Sequence, residues 1–122
     1  MEDISSLDKL ESIKSLESTI RKLENAFSQM AQKGANTTLV EKRQKAVTIG
    51  LAMLEQVWNQ KPHDYTQHDL IEARNVLIGL TPSVETSYAK SKEGSPQRTL
   101  LERRLKSLGL VVQAIDKLLN SY

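Results

Sequence analysis

The chain contains no cysteine, which excludes disulfide bonds, thiolate metal sites and cysteine nucleophiles. Aromatic residues make up only 4% of its 122 residues, so the core must be built from aliphatic side chains. No apolar run approaches the ~20 residues of a membrane-spanning helix, and the start, Met1 to Ile4, lacks the basic and apolar regions of a secretion signal. These absences favour a soluble, cytoplasmic protein that does not associate with membranes.

A strong excess of charge of either sign is also missing. The net charge is only +2, so bulk electrostatics alone indicate no polyanionic partner. With 39% hydrophobic and 26% charged residues, the composition is typical of a folded chain and argues against wholesale disorder. The length fits one ordinary domain, which we place at 1–122.

Helical periodicity is the feature that the sequence does have. In the last segment, apolar residues recur at alternating spacings of four and three: Leu101, Leu105, Leu108, Val112, Ile115, Leu119 and Tyr122. This spacing places apolar side chains on one face of an α-helix. In the first segment the stripe consists of Leu7, Leu10, Ile13, Leu16, Ile20, Leu23, Phe27 and Met30. With similar stripes in the segments between, the sequence predicts four helices, at about 5–33, 39–60, 66–92 and 96–121.

Helix-breaking and helix-capping residues separate these stripes. Gly34, Pro62 and Gly94 mark three links between helices. A hydroxyl residue that can cap a helix stands near each predicted start: Ser5, Thr38, Thr66 and Ser95. An acid three residues after each of the first three predicts a capping box: Asp8, Glu41 and Asp69. Within the third helix, Pro82 predicts a break near 81–83, either as a kink or as a new helix capped by Thr81.

The short links favour antiparallel neighbours, because a chain of about five residues cannot return a helix to a distant position. The sequence therefore predicts an all-α, antiparallel up-down four-helix bundle, with the third helix broken or kinked near Pro82. Gly50 lies inside the second stripe and indicates close helix packing. An elongated helical hairpin that completes its core as a dimer is the alternative, so both monomer and homodimer stay open.

Charge is unevenly distributed among the segments. Residues 34–62 and 94–122 carry net charges of +2 and +3, whereas residues 1–33 and 63–93 carry −1 and −2. In an up-down bundle, the starts of the second and fourth helices lie at the same end. We call the basic residues near these starts the basic pole: Lys42, Arg43, Lys45, Arg98, Arg103, Arg104 and Lys106. The acids expected at the opposite end are Glu2, Asp3, Asp8, Glu11, Asp64, Asp69 and Glu72.

One cluster carries residue types that bind metals. His68 and Glu72 stand one helical turn apart, and His63 lies in the preceding loop. Imidazole and carboxylate groups bind zinc, yet this spacing matches no strong metal-binding motif. We therefore predict no metal or other cofactor and keep these three residues as weak candidates.

The functional prediction depends mainly on catalytic motifs that the sequence lacks. The sequence has no nucleophile elbow, no glycine-rich phosphate loop and no convincing acid–base pair, so we expect no enzyme. The leading hypothesis is a regulatory or adaptor module that binds another protein, with an acidic surface, through the basic pole or an exposed helix face. A nucleic-acid-associated regulator using the same pole is the alternative. A metal-dependent activity at His63, His68 and Glu72 is the second.

Overall fold

The computed structural model describes residues 4–121 and confirms the all-α four-helix bundle. The helices are α1 (Ser6–Gln32), α2 (Thr38–Asn59), α3 (Gln67–Lys90) and α4 (Pro96–Leu119). Across residues 4–121 there is no β-strand. No helix in this range is long and apolar enough to cross a membrane.

Side-chain caps start three of the helices. The Ser5 hydroxyl accepts a hydrogen bond from the Asp8 N–H at 3.1 Å, and the Ser95 hydroxyl accepts one from the Arg98 N–H at 3.1 Å. At α3, the Thr66 hydroxyl accepts from the Asp69 N–H, and the Asp69 carboxylate accepts from the Thr66 N–H. These bonds satisfy N–H groups that have no partner inside the first turn.

The start of α2 differs from the expected cap at Thr38. Thr38 is already helical, and Thr37 takes the N-cap position without a capping bond from its side chain. The Asn36 side-chain oxygen instead accepts from the Thr38 N–H at 2.9 Å, and the Thr37 hydroxyl donates to Glu41. Asn36 thus caps the Thr38 N–H, and α2 begins at Thr38. This start is one residue earlier than the spacing of Thr38 and Glu41 predicts.

Helix α3 runs through Pro82 as one helix. The Thr81 hydroxyl donates to the Leu77 carbonyl at 3.0 Å and therefore does not cap a new helix. Proline removes one N–H from the helical ladder, the one that would bond the carbonyl of Ile78. Because Ile78 is exposed, water can donate a hydrogen bond to that carbonyl in place of the missing N–H.

The four helices pack unequally. Helices α2 and α4 contact each other, and both contact α1 and α3, whereas in the described chain the backbones of α1 and α3 do not approach within 8 Å between Cα atoms. Gly50 of α2 lies against Val111 of α4, as its position inside the stripe predicts: a Cβ at Gly50 would lie 2.5 Å from Val111 Cγ1. The core is therefore centred on the α2–α4 pair, with α1 and α3 on its flanks.

Helix α1 keeps its predicted apolar stripe only in part. Leu16 is buried, and Ile20 and Leu23 pack against the core. Leu7 and Leu10, however, are 63% and 49% exposed, and Ser12 and Thr19 are buried beside Leu16. Small hydroxyl side chains thus occupy much of the surface that α1 presents to the bundle. The Ser107 hydroxyl of α4, fully buried, donates to the Arg104 carbonyl at 2.8 Å, which satisfies it within its own helix.

Candidate interaction surface

The structure pairs three residues of the basic pole with acids on neighbouring helices. Lys106 lies 3.4 Å from Asp8, and Arg103 lies 3.7 Å from Glu11. Lys45 lies 4.0 Å from Asp69. All three pairs are partly exposed, so each adds little to stability, but each reduces the positive charge at its own place.

The expectation that Asp8, Glu11 and Asp69 gather at the opposite end was therefore wrong. The two pairs between α1 and α4 place the first turns of α1 beside the first half of α4. The two helices are therefore shifted along their axes relative to each other. The expectation assumed an ideal bundle in which all helix ends lie level. Glu2 and Asp3 lie outside the described residues.

Arg98 holds the link between α3 and α4. Its guanidinium donates to the Ser91 carbonyl at 3.0 Å and the Tyr88 carbonyl at 3.4 Å. It also lies 4.1 Å from the centre of the Tyr88 ring. These contacts serve the carbonyls at the end of α3 and give Arg98 a structural task.

Lys42 faces a different cavity from Arg104. It lines a shallow cavity between α2 and α3, together with Lys45, Asp69 and Glu72. This cavity contains both acids and bases, so it offers no preference for a negatively charged partner.

Arg43 and Arg104 come together around a cavity of about 220 Å³, which we call the basic cavity. Lys22 of α1 is its third cation. Its other lining residues are apolar or carry hydroxyl groups: Thr19, Leu23, Ala26, Leu80, Ser83, Val84, Ser87 and Leu101. No acidic residue of the described chain lines it. The basic cavity therefore combines an apolar wall with positive charge that its own lining leaves unbalanced.

Arg104 is the most unusual of these cations. Its Nε atom is buried and has no hydrogen-bond partner among residues 4–121. Burial also lowers the pKa of its guanidinium from the ordinary value, because the charged form loses contact with water. An unpartnered buried donor typically costs about 1–3 kcal/mol, so we expect Arg104 to lower the stability of the fold.

The hydroxyl groups of the basic cavity are largely committed to their own helices. The Thr19 hydroxyl donates to the Ser15 carbonyl at 2.8 Å, and the Ser87 hydroxyl donates to the Ser83 carbonyl at 3.2 Å. Their protons are thus already in use. The donors that a bound group would meet are chiefly the side chains of Lys22, Arg43 and Arg104.

Lys22 was missed because the sequence points to bases near helix starts, and this lysine lies in the middle of α1. A signal does exist. Thr19, Lys22, Leu23 and Ala26 recur at helical spacing and all line the basic cavity, so they share one face of α1.

The predicted metal-binding candidates do not come together. His68 and Glu72 do lie one turn apart, with 3.4 Å between Nε2 and the carboxylate. His63 is used differently: its Nδ1 accepts the Tyr65 N–H at 3.1 Å, and its ring stacks on Tyr65. Throughout residues 4–121, no three histidine, aspartate or glutamate side chains are grouped as a metal site.

A scan of the chain against protein-family models finds no match, and searches of curated proteins and of solved structures find no similar chain. The functional interpretation therefore depends on the residues of this chain alone.

Proposed function

We propose that the chain is a non-enzymatic protein-interaction module that binds an acidic segment of a partner protein at the basic cavity. The observation that carries this proposal is the group of Lys22, Arg43 and Arg104 around a cavity whose lining includes no described acid. Elsewhere in the molecule, Arg103 and Lys106 each lie beside an acid. At the basic cavity, the carboxylates of a partner would pair with the cations, as Glu11 and Asp8 pair with Arg103 and Lys106.

The chemistry of the partner follows from the lining. Hydrogen bonds from guanidinium and ammonium groups to carboxylates are stronger than those between neutral groups. Arginine also matches the planar carboxylate with two parallel donors. The apolar wall formed by residues such as Leu80 and Leu101 favours an apolar side chain next to the acid. We therefore expect a partner segment that alternates acidic and apolar residues.

Nucleic acid is the alternative partner for the same cations. A phosphate backbone is bound by many cations spread along its path. In this chain Lys45, Arg103 and Lys106 are paired with acids, and Arg98 holds a link between helices. Few cations are left in a row, and a compact acidic segment suits three clustered cations better.

Charge reversal at the rim of the basic cavity tests the proposal. Lys22→Glu combined with Arg43→Glu inverts two charges whose side chains reach solvent. Lys117→Glu is the control for a charge reversal elsewhere, because Lys117 is exposed near the end of α4 and does not line the basic cavity. Proteins captured by the wild-type chain from its native cell are purified and titrated against all three forms.

We expect the purified partner to bind the wild type and the control alike, and the double variant at least about tenfold more weakly. Equal affinity for all three forms would refute the basic cavity as the binding site. Capture of nucleic acid alone, with affinity that falls steeply as salt rises, would favour the alternative.

A further inference from the structure

The basic cavity is large enough to hold a chemical group of defined size. Its volume of about 220 Å³ exceeds the roughly 150 Å³ of an apolar cavity that holds a benzene molecule. We propose that it binds a carboxylate carried on a short aliphatic chain. This proposal rests on the proposed function, because it concerns the same cavity and names the group that enters it.

The carboxylate is assigned from the charge of the lining. Lys22, Arg43 and Arg104 line the basic cavity, and no described acid lines it. A carboxylate can accept two parallel hydrogen bonds from one guanidinium group. The Nε of Arg104 is itself buried, so these bonds would come from the terminal nitrogens. Arg43, on the neighbouring α2, would add a second positive charge.

The aliphatic chain is assigned from the remaining wall. Leu23, Leu80, Val84 and Leu101 come from three different helices and surround the same space. Apolar surface that is removed from water contributes roughly in proportion to its area. A bare anion would leave this wall uncovered, and a bare hydrocarbon would leave the three cations without a negative charge beside them. A short aliphatic acid uses both kinds of surface.

Two sources can present this chemistry. One is a free small carboxylic acid, and the other is the last residue of a partner protein, where an aliphatic side chain lies next to the terminal carboxylate. Both place one negative charge beside a few methylene or methyl groups. The test therefore includes a ligand of each kind.

The test is an NMR titration of the purified chain, labelled with ¹⁵N, with hexanoate. We expect saturable shifts of amides that line the basic cavity, such as those of Leu80, Val84 and Leu101. Hexanamide, which lacks the charge, and acetate, which lacks the chain, should each bind at least about tenfold more weakly. Inorganic phosphate should also bind more weakly than hexanoate; tighter binding of phosphate would overturn the role of the apolar wall.

Two arginine variants identify the guanidinium. Arg104→Met keeps most of the side-chain length without the charge, and hexanoate should bind it at least about tenfold more weakly than it binds the wild type. Arg103→Met is the matched control, because Arg103 is the adjacent residue, lies beside Glu11 and does not line the basic cavity. Equal loss in both variants would overturn the assignment to Arg104.

A pentapeptide that ends in leucine, with a free or an amidated terminus, distinguishes the two sources. Binding of the free-terminus peptide without binding of hexanoate assigns the site to a partner's chain end, and the reverse assigns it to a small acid. No saturable shift with either ligand up to ~10 mM overturns the inference.

The outcome also separates this inference from the proposed function. If neither ligand binds while the Lys22 and Arg43 double variant still loses its acidic partner, the inference fails and the proposed function stands. If hexanoate binds while partner affinity is unchanged in that variant, the proposed function fails and the inference stands.

Discussion

Gly50 of α2 and Val111 of α4 lie so close that no side chain fits at Gly50. A Cβ there would approach Val111 Cγ1 to 2.5 Å, and both residues are buried. Alanine favours a helix over glycine by roughly 1 kcal/mol, but overpacking of a full core typically costs about 1–3 kcal/mol. The contact between the two helices therefore depends on the missing methyl group.

We expect Gly50→Ala to lower the free energy of unfolding by up to about 2 kcal/mol, since the overpacking offsets or exceeds the gain in helix propensity. Urea denaturation measures the change. Gly109→Ala is the control: a methyl group added at Gly109 of α4 would meet no neighbouring side chain within 4 Å, so alanine there should be neutral or stabilising. Equal effects at both sites would contradict the close contact, and Val111→Ala should partly rescue Gly50→Ala.

Leucine truncations in α1 test which of its faces is buried. Leu16 is 0% exposed and Leu10 is 49% exposed. Leu16→Ala should cost about 2–5 kcal/mol, as large core truncations do, whereas Leu10→Ala should change the free energy of unfolding by about 0.5 kcal/mol or less. Thermal and urea denaturation of both variants provide the comparison. A larger loss for Leu10→Ala would contradict this orientation of α1.

Replacing Arg104 tests whether the fold sacrifices stability at the basic cavity. Arg104→Met removes a half-buried charge and its unpartnered Nε–H while keeping apolar contacts of the stem. We expect the free energy of unfolding to stay equal or rise by about 1 kcal/mol. A clear loss of stability, measured by urea denaturation, would mean that Arg104 serves the fold.

Asp69 links stability to acidity. Its carboxylate accepts the Thr66 N–H at 3.0 Å, and this bond, assisted by nearby Lys45, holds the pKa of Asp69 below its ordinary value of 3.8. A lowered pKa in the folded state contributes stability above the ordinary pKa, and this contribution is lost as the pH falls below 3.8 through the folded-state pKa. Asp69→Asn should therefore be less stable than the wild type at pH 7.

The difference in stability between Asp69→Asn and the wild type should shrink as the pH falls below 3.8, where the wild-type carboxylate also becomes neutral. Urea denaturation of both forms at neutral and acidic pH measures it. A difference that is constant across the pH range would show that the charge of Asp69 plays no part.

The ion pair between Arg74 of α3 and Asp116 of α4 offers a test of a surface contact. Its two side chains are partly exposed, and Arg74 donates from both Nε and Nη2. A double-mutant cycle with Arg74→Ala and Asp116→Ala should give a coupling energy of about 0.5–1 kcal/mol. This coupling should fall when the salt concentration is raised to ~1 M. A coupling unaffected by salt would point to packing of the arginine stem.

The four helices were predictable because their signals are local. The spacing of Leu101, Leu108 and Ile115 marks a buried face, and all three are buried in the structure. Likewise Thr66 and Asp69 form the predicted capping box with each other, within four residues of chain. Short-range patterns of this kind depend on the geometry of one helix and need no knowledge of its neighbours.

The candidate site was predictable only in part, because it depends on how helices are offset. Arg43 and Arg104 were singled out from their positions near helix starts, but Lys22 was not. The pairing of Asp8 with Lys106 follows from the offset of α1 along α4, and no local pattern reports such an offset. The burial of Thr19 and the exposure of Leu10 have the same origin, because they depend on which side of α1 its neighbours cover.

The flanking position of α1 has a kinetic consequence. Only Leu16 among its large apolar side chains is fully buried, and within the described chain its backbone approaches those of α2 and α4, but not that of α3, within 8 Å between Cα atoms. Partial detachment of α1 is therefore expected to cost less than detachment of a helix with more buried apolar side chains. Thr19, Lys22, Leu23 and Ala26 form one wall of the basic cavity, so this movement would widen it. Hydrogen exchange should accordingly be faster for amides of α1 than for those of α2 and α4.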